Sequence, residues 1–196
     1  EETAKAVGML ERMKVVFHTG RALGKELDIE KLEREWDALL LATGGGPALH
    51  LGIPGEDLPG VFQGLDLLRQ VREGRNPKIG RSVLVIGGGN TAVDAALTCL
   101  KLGAGEVSLV CLEEKDKMPA FPAEVQEALE EGVRIQDCWG PRCITQNGNG
   151  DLTVDLSWCL SVFDERGRFC PALEDTCSHS PSAETIIIAI GQKSEW

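Results

Sequence analysis

The segment that most restricts the fold is Ser82-Val-Leu-Val-Ile-Gly-Gly-Gly-Asn-Thr-Ala92. A short apolar, β-branched run ends in three glycines. A helical pattern follows at once, with Ala92, Ala95, Ala96 and Cys99 at steps of three and four. Gly87-x-Gly89-x-x-Ala92 is the G-x-G-x-x-A form of the turn that seats a dinucleotide pyrophosphate. The first glycine makes the tight turn, the second leaves room for the phosphates, and the small third residue lets helix and strand pack closely. The helix N-terminus adds free N–H groups and the positive end of its dipole, so Gly87, Gly88, Gly89, Asn90, Thr91 and Ala92 form the predicted pyrophosphate loop. Gly44-Gly45-Gly46 also follows an apolar stretch, but Pro47 comes next and no helix N-terminus is offered there.

The surrounding pattern supports a doubly wound sheet. Val107-Ser-Leu-Val-Cys-Leu112 reads as the next strand. Pro122 suits the first position of a helix running to Gly132, and 133–136 reads as a third strand. The β-α-β-α-β order over 82–136 predicts a Rossmann-like parallel sheet. The period then changes. Leu152, Val154, Leu156, Trp158, Leu160 and Val162 alternate with their neighbours over a long stretch flanked by Asn-Gly and Arg-Gly turn signals. We read an inserted antiparallel β-meander over about 141–172, then an exposed loop to 183. Thr185-Ile-Ile-Ile-Ala-Ile190 returns as a buried strand, and Gly191 ends it.

Upstream, residues 1–13 read as a helix and 14–17 as a strand. Asp28 opens a second helix with Ile29, Leu32 and Trp36 on one face, and Asp37–Gly44 reads as a buried strand. Glycines and prolines crowd into 44–80, a predicted connecting segment with a short helix over 65–72. Trp36, Trp139 and Trp158 are expected to pack.

Composition removes several classes. Lys+Arg 20 against Asp+Glu 31 gives a net charge of −11, which argues against nucleic acid. No apolar run approaches the ~20 residues of a membrane span. There is no basic-then-apolar leader, so a cytoplasmic location is expected. Tyrosine is absent, which excludes a self-contained short-chain dehydrogenase with its catalytic tyrosine. The 7 cysteines contain no C-x-x-C. Cys138 and Cys143 lack a second pair at ligand spacing, so no metal site is expected and the thiols read as reduced and structural. His18, His50 and His179 have no motif partners and read as surface or capping residues. An opening Glu1 in place of Met suggests a piece of a longer chain.

The end of the second strand bears on the choice of dinucleotide. Glu113 can accept two hydrogen bonds from the adenine ribose hydroxyls, which favours NAD(H) over NADP(H). Against a 2′-phosphate its charge would cost on the order of 1–4 kcal/mol. The competing reading makes Glu113-Glu114 a solvated turn, with Lys115 or Lys117 meeting a phosphate.

Taken as a set, Asp37–Gly44, Ile53-Pro-Gly-Glu-Asp57, Val85–Asp94, Met118-Pro119, Glu130-Glu-Gly-Val133, Ser161–Glu165 and Ile188-Ala-Ile-Gly-Gln192 are familiar. Nearly end to end, the chain resembles the small (beta) subunit of NADPH-dependent glutamate synthase and its flavoprotein relatives. The resemblance implies a nicotinamide-nucleotide domain, 81–191, inserted into an FAD domain. Residues 1–44 would be the last part of the first FAD segment, 45–80 the connection and 192–196 the start of the return. It further implies that Thr43 and Gly44 pass near the flavin and that FAD binds only in the full-length protein. Gly191 is expected on the nicotinamide side, since α/β sheets bind ligands beyond the C-terminal ends of their strands. Hydride would pass from NAD(P)H to FAD and on to an iron–sulfur or large-subunit acceptor, with the isolated fragment inactive. Members of that group place arginines after the second strand, where this chain has Leu112-Glu113. Apart from the resemblance, a non-enzymatic NAD-binding sensor fits the residues as well.

Overall fold

The computed structural model describes residues 2–193, which divide into two units between Thr43 and Gly44. The first unit contains α1 (Glu2–Arg12) and α2 (Ile29–Glu35). Asp28 caps α2, its carboxylate accepting from the N–H groups of Glu30 and Lys31. The two strands expected here do not form. Residues 14–17 and 37–44 carry no regular structure, with Val16 72% and Leu40 88% exposed. A strand exists only through its ladder partners, and among the described residues of this unit no strand lies alongside them. Trp36 is also exposed rather than packed.

The second unit holds β1 (Val61–Gln63), α3 (Gly64–Arg72), β2 (Ser82–Ile86), α4 (Asn90–Lys101), β3 (Glu106–Val110), α5 (Pro122–Glu130) and β4 (Arg134–Gln136). They are followed by β5 (Trp139–Gln146), β6 (Leu152–Phe163), β7 (Phe169–His179), β8 (Ser182–Ala183) and β9 (Thr185–Ile188). Five strands form a parallel sheet in the order β1-β9-β2-β3-β4. The expected α/β class with a parallel sheet and an antiparallel insertion is the observed one. β1 lies inside the Gly- and Pro-rich stretch read as a connection. Its pairing with β9, Val61 opposite Ile186, makes it a strand despite its length.

The two central strands, β9 and β2, are apolar after their first residues, Thr185 and Ser82, because both faces are covered. Val83, Val85, Val107, Leu109 and Ile187 pack on the helical side against Ala92, Val93, Ala96 and Val125. Leu84, Ile86, Val110, Ile186 and Ile188 face the other way, onto Ile144, Leu152, Val154 and Leu156 of the antiparallel sheet.

That sheet runs β5-β6-β7, with β8 also on β6. It extends beyond the expected 172, since β7 continues to His179 where an exposed loop was read. The alternation of β6 also fails after Leu156. The β6–β7 register shifts between Ser157 and Cys159. Ser157 and Cys159 become buried while Leu160 turns out, 64% exposed. Further shifts follow between Cys159 and Ser161 and between Ser161 and Phe163, so the period of two is lost over the end of the strand. Among the described residues no helix is long and apolar enough to cross a membrane. Residues 194–196 of the proposed return segment lie outside the described residues.

Candidate functional site

Parallel strands present their C-terminal ends to one edge of the sheet, where α/β proteins bind ligands. On that edge of the second unit lies a cleft of about 680 Å³. Its floor is the turn between β2 and α4. Gly87 has φ +142, a Cβ there would stand 2.2 Å from the Ala189 carbonyl oxygen, and its own N–H donates to the Val110 carbonyl at 2.8 Å. Only glycine lets β9 run so close to the turn. Gly89 is the N-cap of α4 with extended backbone, φ −92 and ψ 173. A Cβ on Gly89 would meet nothing within 4 Å, so the space above it is open.

The Ala92 and Val93 N–H groups donate to the Gly89 carbonyl. Among the described residues the N–H groups of Gly89, Asn90 and Thr91 have no protein acceptor. Unpaired donors at a helix N-terminus, facing open space, fit a phosphate group. Segment 118–121 clips onto this loop. The Ala120 N–H donates to the Gly88 carbonyl at 3.1 Å, and the Phe121 N–H donates to Asn90 Oδ1 at 2.8 Å.

Glu113 stands one strand over, half-buried, beyond β3. Its carboxylate lies over Gly88, with Oε2 2.7 Å from where a Gly88 Cβ would sit. Glu114 turns away to pair with Lys117 at 2.8 Å, and the Lys115 N–H donates to Asp137. The Glu114 carboxylate holds the Lys117 ammonium above its usual range. Neither lysine lines the cleft. Cys111 does, as an inert thiol, since burial, with the charges of Glu113 and Asp137, pushes it up to about 12.

Of the sequence-predicted residues, Gly87, Gly88, Gly89, Thr91, Glu113 and Gly191 line this one cleft. Asn90 is turned to Phe121 instead, and Ala92 is fully buried beneath the turn. Gly44 does not line it, and Thr43 belongs to the other unit. The motif reading missed the apolar walls, Trp139, Phe169 and Leu173 from the antiparallel sheet and Leu49, Leu51 and Ile53 from the segment before β1. Trp139 meets Trp158 edge-on at 5.3 Å, as expected for packing tryptophans. Cys143 donates to Asp155 and does not pair with Cys138. Among the described residues no group of three or more His, Cys, Asp or Glu could hold a metal ion.

A parallel sheet with a glycine turn at its switch to a helix, backed by an antiparallel sheet, defines the nucleotide-domain class of FAD/NAD(P) oxidoreductase folds. The chain belongs to the pyridine nucleotide-disulphide oxidoreductase family, whose model matches residues 4–195. It is 35% identical over 175 residues to NADPH-Fe(3+) oxidoreductase subunit beta of Geobacter sulfurreducens, covering 87% of this chain and 26% of that protein. It is 31% identical to the glutamate synthase [NADPH] small chain of Halomonas elongata, covering 93% of this chain and 41% of that one. The sequence-level resemblance to glutamate synthase small subunits therefore holds. The chain spans about a quarter to two-fifths of these relatives' length. Mycobacterium tuberculosis FprA in complex with NADPH shares the fold, with a TM-score of 0.69 at 17% identity over 86% of this chain and 53% of that one. These names carry NADPH, so they give the NAD(H) preference no support.

Proposed function

We propose that this chain is the pyridine-dinucleotide-binding part of a flavoprotein oxidoreductase. The observation that carries the reading is the set of unpaired Gly89–Thr91 N–H groups opening onto the cleft at the strand ends. When bound there, a reduced pyridine dinucleotide supplies hydride. The chain's own residues bind and orient it. Gly87 lets β9 close on the turn, Gly89 leaves the phosphates room, and the α4 N-terminus donates to them. Glu113 would accept from the adenine ribose, and Gly191, on the opposite neighbour of β2, would border the nicotinamide half.

The rest of the proposal rests on family membership. FAD would be held by the full-length protein, with Thr43 and Gly44 near it. Electrons would leave by an iron–sulfur or large-subunit acceptor, a route suggested by relatives named as a beta subunit and a small chain. Preference for NADH rests on Glu113 and on the ion pair that occupies Lys117; the NADPH in the relatives' names speaks for the other choice. Fluorescence titration with NADH and NADPH tests both points. Saturable binding of either supports the dinucleotide reading. Equal or tighter binding of NADPH removes the NADH preference, and binding of neither removes the reading.

A further inference from the structure

One side chain of the cleft has a built support that the pyrophosphate loop does not explain. Residues 46–49 are tied to the chain leaving the parallel sheet. The Leu49 N–H donates to the Gly191 carbonyl at 2.9 Å and the Lys193 N–H to the Pro47 carbonyl at 3.0 Å. Just beyond, Glu56 is buried. Its carboxylate accepts from the N–H groups of Leu51 at 2.9 Å and Gly52 at 2.8 Å, and lies 3.0 Å from His50 Nδ1. The loop has no slack behind it, since Gly55 has φ +85 and a Cβ there would stand 1.9 Å from the Ile144 carbonyl oxygen.

A carboxylate only accepts, so His50 Nδ1 carries the hydrogen, and in the neutral imidazole Nε2 keeps its lone pair. Among the described residues Nε2 has no hydrogen-bond partner. The imidazole lines the cleft and is 68% exposed. At this end the other lining residues are Leu49, Leu51, Ile53, Ala189, Ile190 and Gly191, so His50 is the polar side chain available there. The strand order places this end opposite Glu113, with β9 on one side of β2 and β3 on the other. A dinucleotide whose adenine ribose meets Glu113 and whose phosphates meet the α4 N-terminus brings its nicotinamide here. The ring's carboxamide then needs an acceptor for its N–H.

We propose that His50 is that acceptor, and that Glu56 is a positioning residue that fixes its tautomer and orientation. The inference rests on the dinucleotide reading of the cleft. His50→Ala leaves Glu56 both backbone donors, so the fold is unaffected.

Calorimetric titration tests it with three ligands. They are the tighter-binding of NADH and NADPH, the same molecule without nicotinamide (ADP-ribose or its 2′-phosphate), and the reduced 3-acetylpyridine analogue, which lacks the carboxamide N–H. His50→Ala should weaken the dinucleotide about fivefold, the effect of one hydrogen bond. It should leave the fragment without nicotinamide unchanged and bind the acetylpyridine analogue as tightly as the unaltered chain does. Undiminished dinucleotide binding, or equal loss with all three ligands, overturns the role of His50 and leaves the cleft reading intact. An unaltered chain that binds neither dinucleotide nor fragment overturns both.

Discussion

Gly89→Val separates binding from folding more cleanly than any other substitution in the cleft. The Gly89 backbone, φ −92 and ψ 173, is extended and suits a β-branched residue. An added Cβ meets no protein atom within 4 Å. What the fold loses is glycine as an N-cap, about 1 kcal/mol at most, partly offset by a stiffer unfolded chain. In a chain of this length that moves Tm by about 2–4 °C. The ligand loses far more. Isopropyl bulk over the N-terminus of α4 would separate the phosphates from the Gly89–Thr91 N–H groups. Hydrogen bonds to charged groups contribute about 1.5–3 kcal/mol each, so losing two weakens binding by 100-fold or more, on the order of 3–6 kcal/mol. The assays are a thermal melt and an NADH or NADPH fluorescence titration on the same preparation. A variant that melts like the parent and binds within about threefold of it would refute the pyrophosphate assignment.

Other outcomes follow from the same geometry. Gly87→Ala should act on the fold instead, because its Cβ would stand 2.2 Å from the Ala189 carbonyl oxygen at φ +142; a loss of about 2–3 kcal/mol, seen as a lower melting temperature, is expected. Glu113→Ala removes the carboxylate proposed to meet the adenine ribose and should raise the NADPH-to-NADH affinity ratio about tenfold, read by parallel titrations. Burial pushes the Cys111 thiol up to about 12 and Cys99 to about 11, so both stay protonated at pH 8. Mass-spectrometric alkylation at pH 8 should therefore mark the exposed Cys170 and Cys177 first; early labelling of Cys111 would contradict its burial.

The residues of the turn were legible because the requirement there is local. A strand, two glycines and a small residue at fixed spacing are needed wherever a helix N-terminus must lie against a phosphate, whatever surrounds them. The apolar runs 83–86 and 186–188 were legible for a related reason, since burial on both faces leaves no polar position within them to obscure the run. The failures share a cause as well. The runs 14–17 and 37–44 look like strands, but strand formation depends on a partner, and partners are not written in the run itself. Val61–Gln63 is the reverse case, three residues that only β9 makes into a strand. Period-two reading carried β6 as far as Leu156 and lost it where the register with β7 shifts, because a bulge is defined by the pairing of two strands together.

The amino-acid order alone determined the α/β class, the glycine turn and the placing of Glu113 at the end of the second strand. All of these follow from contacts within a few residues along the chain. Tertiary structure decided what faces that turn. It brought Leu49–Ile53 to Gly191, drew Trp139 and Leu173 across from the antiparallel sheet, and set the buried Glu56 behind His50. Those groups are distant in sequence and meet only because β9 crosses back between β1 and β2. The floor of the cleft is thus a local property of the chain, and its walls are a property of the topology.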